Sequence, residues 1–148
     1  MDEIRPWLYI GSIRDTANEH YLAYNSIRAM LQLAAKVEHS EIAIMYLPIE
    51  DFAPLNYELL EKGVKFIREQ KRLDHRVLVA CGAGINRSSS FCAAALKEEE
   101  GLSLFEAFKE VKRKHPEAMP HQPVWESLCK YYNESTPYLD IMRLPIHY

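Results

Sequence analysis

The chain has 148 residues, of which 48% are hydrophobic and 26% are charged, a composition that suits one globular domain. Its formal net charge of −3 excludes a strong overall attraction to nucleic acid or to acidic lipid. No apolar run approaches the roughly 20 residues that a membrane-spanning helix needs, and the first residues lack the pattern of a signal peptide. We therefore expect a cytoplasmic protein that binds neither nucleic acid nor a membrane.

The first half of the chain contains three predicted strands and one predicted helix. Short apolar runs at 7–10 and 27–33 predict strands. Residues 14–24 predict a helix that Asn25 closes, because asparagine tolerates the left-handed conformation at a helix end. The continuous apolar run at 42–47 predicts a strand that is covered on both faces.

The second half predicts one further strand and four helices. Asn56 suits the N-cap of a long helix, and the segment from Ser103 to Glu106 matches a capping box. The predicted elements are a helix from 56 to residue 72, a strand at 77–80, and helices at 89–100, from 103 to before Pro116, and after Pro123. This order predicts an α/β fold, a single domain with a central, mostly parallel sheet flanked by helices.

The end of the sequence, residues 136–148, is too apolar for a free tail. We expect it to pack on the domain that residues 1–135 form. The alternative is a contact with a partner subunit in a homodimer.

The cysteines and histidines give no sign of a metal site. Cys81, Cys92 and Cys129 lack paired spacing, which disfavours a disulfide framework and a cysteine-rich zinc site. The six histidines include no pair at the spacing of metal ligands on a helix. We expect no metal and no other cofactor.

A glycine-containing loop follows the strand at 77–80, and three chemistries use loops of this kind. A dinucleotide-binding loop needs a third glycine where this chain has Arg87. A triphosphate-binding loop needs a lysine after its second glycine, and Gly84 is followed by Ile85. Neither pattern fits.

The third chemistry makes a cysteine into a nucleophile, and it fits the whole segment. Cys81 ends a strand, and Arg87 and Ser88 follow at the start of a helix. Backbone N–H groups and a helix N-terminus together bind a tetrahedral dianion and favour a thiolate at their centre. The loop that would bind phosphate is Gly82, Ala83, Gly84, Ile85, Asn86 and Arg87. The alternative is a buried cysteine beside a surface arginine, which explains neither the glycines nor the spacing.

The same segment is similar to the His-Cys-x-x-Gly-x-x-Arg-Ser/Thr loop of the cysteine-dependent protein tyrosine phosphatase superfamily. The chain resembles its small dual-specificity phosphatases in particular. "WLYIGSIRDTAN" is similar to the opening strand and turn of that family, and "LSLFEAFKEVKRKHPEAMPHQPVWESL" to its later helices. The resemblance covers residues 4–132 and implies a phosphatase-like catalytic domain over 1–135.

A general acid must protonate the leaving oxygen of a phosphomonoester. Asp51 follows the strand at 42–47, and active-site groups of α/β folds gather at strand carboxyl ends. The family places its acid on a loop of this kind, so the resemblance implies the same role for Asp51, with Glu50 as the second candidate. It also implies that Ser88 hydrogen-bonds to the Cys81 sulfur when the phosphocysteine intermediate breaks down.

The chain departs from the family at Ala80, where the family has a histidine that supports the loop. Two functions therefore stay open: an active phosphatase, and a catalytically weak adaptor that binds phosphate on the same fold.

The loop interior has no lysine and no second arginine, which favours a single phosphate on a protein tyrosine, serine or threonine over a highly charged non-protein phosphomonoester. The basic run at 112–114 is expected to be a solvated cluster at a helix end.

Overall fold

A computed structural model describes residues 1–145 of the chain. The sheet and helices of this part form one α/β domain. In chain order the elements are β1 (Asp2–Arg5), β2 (Leu8–Ser12), α1 (Ile13–Thr16), α2 (Glu19–Tyr24), β3 (Ile27–Gln32), β4 (Ala43–Tyr46), α3 (Tyr57–Arg72), β5 (Arg76–Cys81), α4 (Arg87–Glu100), α5 (Leu104–Lys114), α6 (Gln122–Tyr131) and α7 (Tyr138–Met142). Within residues 1–145, no helix has both the length and the apolar character needed to cross a bilayer.

The five strands form one mixed sheet in the order β1-β2-β5-β3-β4. The four strands β2, β5, β3 and β4 are parallel to their neighbours, and β1 runs antiparallel to β2. The predicted α/β fold with a mostly parallel sheet is confirmed. β1 was not predicted, because Asp2–Arg5 carries three charged residues and only one buried side chain, Ile4.

β5 lies at the centre of the sheet, and its two faces belong to different apolar clusters. Val77, Val79 and Cys81 face the larger cluster, to which α3, α4, α5 and α6 contribute. Leu78 and Ala80 face a smaller cluster. Alternation along one strand therefore places Cys81 and Ala80 on opposite faces.

The prediction that the strand at 42–47 is covered on both faces is wrong. β4 is an edge strand and pairs only with β3. Ile44 packs on one apolar cluster and Met45 on the other, but both stay partly exposed because no strand lies on the outer side. Asp51 therefore follows an edge strand.

The predicted helix at 14–24 is two short helices. Asn18 interrupts it, and its side-chain oxygen accepts a hydrogen bond from the Tyr21 N–H at 3.2 Å, which starts α2. Asn25 has a φ of −91°, and the left-handed residue is Ser26, with a φ of 56°. The expected left-handed Asn25 is therefore wrong by one position.

The described part of the tail lies against α6 and the residues just before it. The Trp125 indole N–H donates to the Thr136 carbonyl at 2.8 Å, and the Tyr138 hydroxyl donates to the Pro120 carbonyl at 2.7 Å. Ile141 is fully buried in the larger cluster. The expectation for residues 146–148 lies outside the described residues.

The packing of α3 on α4 depends on a glycine. A Cβ at Gly63 would lie 2.7 Å from Cδ1 of Phe91, which is fully buried. Gly63→Ala should therefore lower the free energy of unfolding by about 1–3 kcal/mol through overpacking, despite the better helix propensity of alanine. Chemical denaturation measures the change. Lys62→Ala, on the exposed face of the same turn, is the matched control and should change stability little.

Candidate active site

Cys81 is the last residue of the central strand, and the residue is 2% exposed. Its Sγ lies 3.2 Å from the Ser88 Oγ in the first turn of α4. Ser12, the last residue of β2, is its register partner in the sheet. The carboxyl ends of two parallel strands and the N-terminus of one long helix therefore meet around this sulfur.

The loop between Cys81 and α4 is held from outside at three of its carbonyl groups. Each carbonyl accepts a hydrogen bond from a residue that is not part of the loop. The three bonds are Ile13 N–H to Gly82 O at 3.3 Å, His115 Nε2 to Gly84 O at 2.7 Å, and Met119 N–H to Ile85 O at 3.0 Å.

These outward bonds decide where the loop's N–H groups point. In a trans peptide the C=O and N–H of one unit point in opposite directions, and the described chain has no cis peptide. Carbonyls held outward therefore turn the N–H groups of Ala83, Ile85 and Asn86 inward. Inward N–H groups at the start of a helix form an anion-binding nest.

Arg87 opens α4 and reaches across the loop. Its Nη1 donates to the Ile49 carbonyl at 3.0 Å. Its Nε is buried and has no hydrogen-bond partner among residues 1–145; Asp51 Oδ1 lies 3.3 Å away, without hydrogen-bond alignment. A Cβ at Gly82 would lie 3.2 Å from Nη2, so the guanidinium lies directly over that glycine.

Asp51 is joined to the loop through Asn86. The Asn86 amide donates to Asp51 Oδ1 at 2.8 Å and also to the Asp51 carbonyl. Asn86 Oδ1 in turn accepts from the His121 N–H at 2.7 Å. The ring of Phe52 stacks on that of His121, with centroids 4.3 Å apart. One amide side chain therefore connects three separate segments at the site.

The structure brings most of the predicted site residues together, but not all of them. Asp51, Cys81, Arg87 and Ser88 share one site with the loop between them. Glu50 is exposed and lines a separate cleft with Pro54 and Leu59.

Three contributors to the site were missed by the sequence analysis. Asn86 was assigned only to the loop interior, and His115 and His121 received no role. Each acts through a partner distant in sequence, and no local pattern signals such a contact.

The prediction that 112–114 is a solvated cluster is wrong for Lys112, which is buried and donates to the carbonyls of Pro116 and Ala118 at 3.0 and 2.8 Å.

The other two cysteines differ from Cys81 in their surroundings. Cys92 is fully buried in α4, and burial, followed by the nearby Cys81, raises the pKa of its thiol far above the ordinary value. Burial also raises the pKa of Cys129. Both groups therefore stay protonated thiols at neutral pH, and neither lies in a glycine-containing loop.

Known proteins share this fold and sequence pattern. The model of the family described as "Dual specificity phosphatase, catalytic domain" matches residues 8–134. Human dual specificity protein phosphatase 5 is 28% identical over 139 residues, which cover 91% of this chain and 36% of that protein. Mouse dual specificity protein phosphatase 2 is 33% identical over 123 residues, which cover 80% of this chain and 39% of that protein. The chain thus spans less than two fifths of the length of these two relatives.

Solved structures agree with the family match. The crystal structure of human DUSP28 has a TM-score of 0.83 at 28% identity, and the match covers 90% of this chain and 96% of that one. A mouse putative dual specificity phosphatase complexed with zinc tungstate has a TM-score of 0.84 at 27% identity, covering 89% of this chain and 86% of that one. Because the family model and these structures each span most of the domain, the chain belongs to the dual specificity phosphatase family of catalytic domains.

Proposed function

We propose that the domain hydrolyses phosphomonoesters on protein side chains through a phosphocysteine intermediate. The observation that carries the proposal is Cys81 at the end of a central strand, inside a loop whose peptide N–H groups turn inward beside Arg87. The substrates are phosphotyrosine, phosphoserine or phosphothreonine residues of a phosphoprotein or phosphopeptide. No metal and no cofactor enters the proposed reaction.

In the first step the Cys81 thiolate attacks phosphorus, and the bond to the leaving oxygen breaks as the S–P bond forms. The loop N–H groups and the Arg87 guanidinium bind the non-bridging oxygens, where negative charge is concentrated. The Arg87 Nε, which has no hydrogen-bond partner within residues 1–145, supports this role. Asp51 gives its proton to the leaving hydroxyl or phenol.

In the second step a water molecule attacks the phosphocysteine. Asp51, now a carboxylate, takes a proton from that water, and the S–P bond breaks to release phosphate. The Ser88 hydroxyl, 3.2 Å from the sulfur, donates a hydrogen bond to the departing thiolate. Because Asp51 has regained its proton from the water and Cys81 is again a thiolate, the enzyme has returned to its starting state.

Asp51 and the substrate phosphate compete for the same guanidinium. Asp51 Oδ1 lies 3.3 Å from Arg87 Nε, and Asn86 holds the same oxygen at 2.8 Å. A phosphoryl dianion that pairs with Arg87 turns the carboxyl group toward the leaving oxygen, while Asn86 keeps it at the site. We therefore assign Asn86 a positioning role.

The surroundings of the loop support a protein substrate. Phe52 is 72% exposed and Ile85 is 38% exposed, so apolar side chains lie beside the anion site. An apolar rim suits the aromatic or aliphatic part of an amino-acid side chain better than a polyanionic small molecule. A non-protein phosphomonoester remains the second substrate class, and the phosphate-binding adaptor the second function, because Ala80 replaces the family histidine.

Location, partners and domain limits are further parts of the proposal. A nucleophilic thiolate must stay reduced, which favours the cytoplasm.

We assign 1–135 to the catalytic domain and 136–148 to a tail on its surface, supported by the buried Ile141. Leu139 and Met142 of α7 are half exposed, which is the feature that favours a homodimer contact through this tail. The chain is proposed to bind no nucleic acid and no membrane.

The first prediction from the proposed function separates the enzyme from the adaptor. Wild-type protein should hydrolyse p-nitrophenyl phosphate and phosphopeptides, and Cys81→Ser should abolish turnover while phosphopeptide binding persists, because the loop N–H groups and Arg87 are unchanged. Steady-state kinetics and calorimetry measure the two properties. Binding by the wild type without any turnover between pH 5 and 9 would support the adaptor instead. A panel of phosphotyrosine and phosphothreonine peptides identifies the preferred side chain.

The second prediction tests the general acid. Asp51→Asn should lower kcat/KM, which reports only the steps up to departure of the leaving group, by about 100- to 10,000-fold for phenyl phosphate. The loss for p-nitrophenyl phosphate should be much smaller, because p-nitrophenolate leaves without a proton. Glu50→Gln is the matched control on the neighbouring residue and should leave both rates near wild type. An equal loss for both substrates in Asp51→Asn would contradict the assignment.

The third prediction concerns the conformation of the loop. Gly84 has a φ of 74°, and a Cβ there would lie 2.9 Å from the Gly11 carbonyl oxygen, so alanine meets both strain and a backbone contact. Gly84→Ala should weaken tungstate binding about tenfold or more, since the loop must shift away from Gly11. Titration calorimetry measures the affinity.

The control for that experiment is Gly101→Ala. Gly101 has a similar φ of 68°, with nothing within 4 Å of an added Cβ. It should lose roughly 1–2 kcal/mol of stability from left-handed strain alone, with tungstate affinity unchanged. Equal tungstate affinity in the two variants would show that the approach to Gly11 does not shape the loop.

A further inference from the structure

His115 contacts the phosphate-binding loop from a buried position at the end of α5. The residue is 4% exposed, and its Nε2 lies 2.7 Å from the carbonyl oxygen of Gly84. Its other ring nitrogen, Nδ1, lies 2.6 Å from the Asp2 carboxylate. We propose that His115 is a positioning residue that fixes the loop's central peptide and thereby sets both phosphate affinity and turnover.

The two ring contacts define the orientation of the imidazole. A carbonyl oxygen can only accept, so Nε2 carries the hydrogen that bonds to Gly84. The other ring nitrogen, Nδ1, faces two carboxylates, Asp2 at 2.6 Å and Glu117 at 3.5 Å. The ring is therefore held between the loop on one side and these carboxylates on the other.

The backbone around His115 is fixed as firmly as the ring. Its N–H donates to the Val111 carbonyl at 2.8 Å, which closes α5. The buried Lys112 ammonium holds the carbonyls of Pro116 and Ala118, and burial lowers the pKa of this lysine. We name residues 115–121 the support segment, because Met119 and His121 of this segment also bond to the loop.

The contact matters because Gly84 is a glycine with a φ of 74°. A residue without a Cβ has many accessible backbone conformations, so the Gly84–Ile85 peptide can rotate unless something holds it. The His115 hydrogen bond holds the Gly84 carbonyl outward, and the Ile85 N–H of the same peptide unit then points inward. Rotation of this peptide would replace an inward donor with an acceptor that repels phosphate.

The residue before the nucleophile cannot supply this support. Ala80 offers the loop no polar group, and its side chain lies in the smaller apolar cluster with Leu78 and Met30. His115 is thus the one imidazole that bonds to a loop carbonyl within residues 1–145. Support for the loop therefore comes from the residue that follows α5, and not from the strand that carries Cys81.

Two substitutions at position 115 separate the Gly84 contact from the Asp2 contact. Glutamine places its amide nitrogen three bonds from Cβ, as Nε2 of histidine is, and can donate to Gly84. Asparagine places its amide nitrogen two bonds from Cβ, as Nδ1 is, and can reach only Asp2. Both are neutral amides, so they match in charge and polarity.

The experiment measures tungstate affinity by calorimetry and p-nitrophenyl phosphate kinetics for the full chain carrying His115→Gln or His115→Asn. His115→Asn should weaken tungstate binding and lower kcat/KM, each by about 10- to 100-fold, below the loss expected for removing a direct oxyanion donor. His115→Gln should stay within about threefold of wild type, since the donor to Gly84 is kept. Thermal unfolding should show similar stability for the two variants.

The outcomes are distinct. Unchanged tungstate affinity in His115→Asn, or equal losses in both variants, would overturn the inference. Its kinetic part rests on the proposed function, whereas the tungstate measurement does not. If the wild type binds tungstate with the expected ranking of variants but hydrolyses nothing, the proposed function fails and the role of His115 stands.

Discussion

The site depends on the outward hydrogen bonds of the loop carbonyls. A phosphoryl dianion needs several N–H donors aimed at one point, and neighbouring peptides do not converge unless their carbonyls are held elsewhere. Ile13 of α1 and two residues of the support segment, His115 and Met119, provide that constraint. In the proposed reaction, Cys81, the Arg87 guanidinium and the N-terminus of α4 act on phosphate within this arrangement. Preorganised donors of this kind need little rearrangement during the reaction.

Asp51, the proposed general acid, is also held by groups that are distant in sequence. Asn86 lies in the loop, yet its side chain bonds to Asp51 and to the backbone of His121. The segment after the edge strand β4 is thereby fastened to the loop after the central strand β5. An edge strand by itself gives its following loop little support, because it has a neighbour on one side only. The amide of Asn86 compensates for that position.

The sequence was sufficient to predict the elements whose signal lies in one contiguous stretch of residues. The apolar run at 77–80 and the capping signals at Asn56 and Ser103 predicted elements that the structure contains, and the Cys81-to-Arg87 spacing predicted the turn from β5 into α4. Prediction from the sequence failed for elements whose place in the sheet depends on strands distant in the chain. β1 is charged and short, and it exists because β2 offers a free edge. The run at 42–47 is apolar enough for a central strand, but apolar content does not determine position in the sheet.

The contacts of the support segment show why the rest of the site was not predictable. Lys112 looks like part of a surface cluster in sequence, and His115 looks like an ordinary residue at a helix end. In the fold, the Lys112 ammonium donates hydrogen bonds to two carbonyls of the turn after α5, which water would otherwise bind. His115 contacts both Asp2 of β1 and Gly84 of the loop. Buried polar groups are costly unless each finds its partner. His115 of the support segment therefore links β1 to the loop, and each polar group along this connection has a partner in another segment.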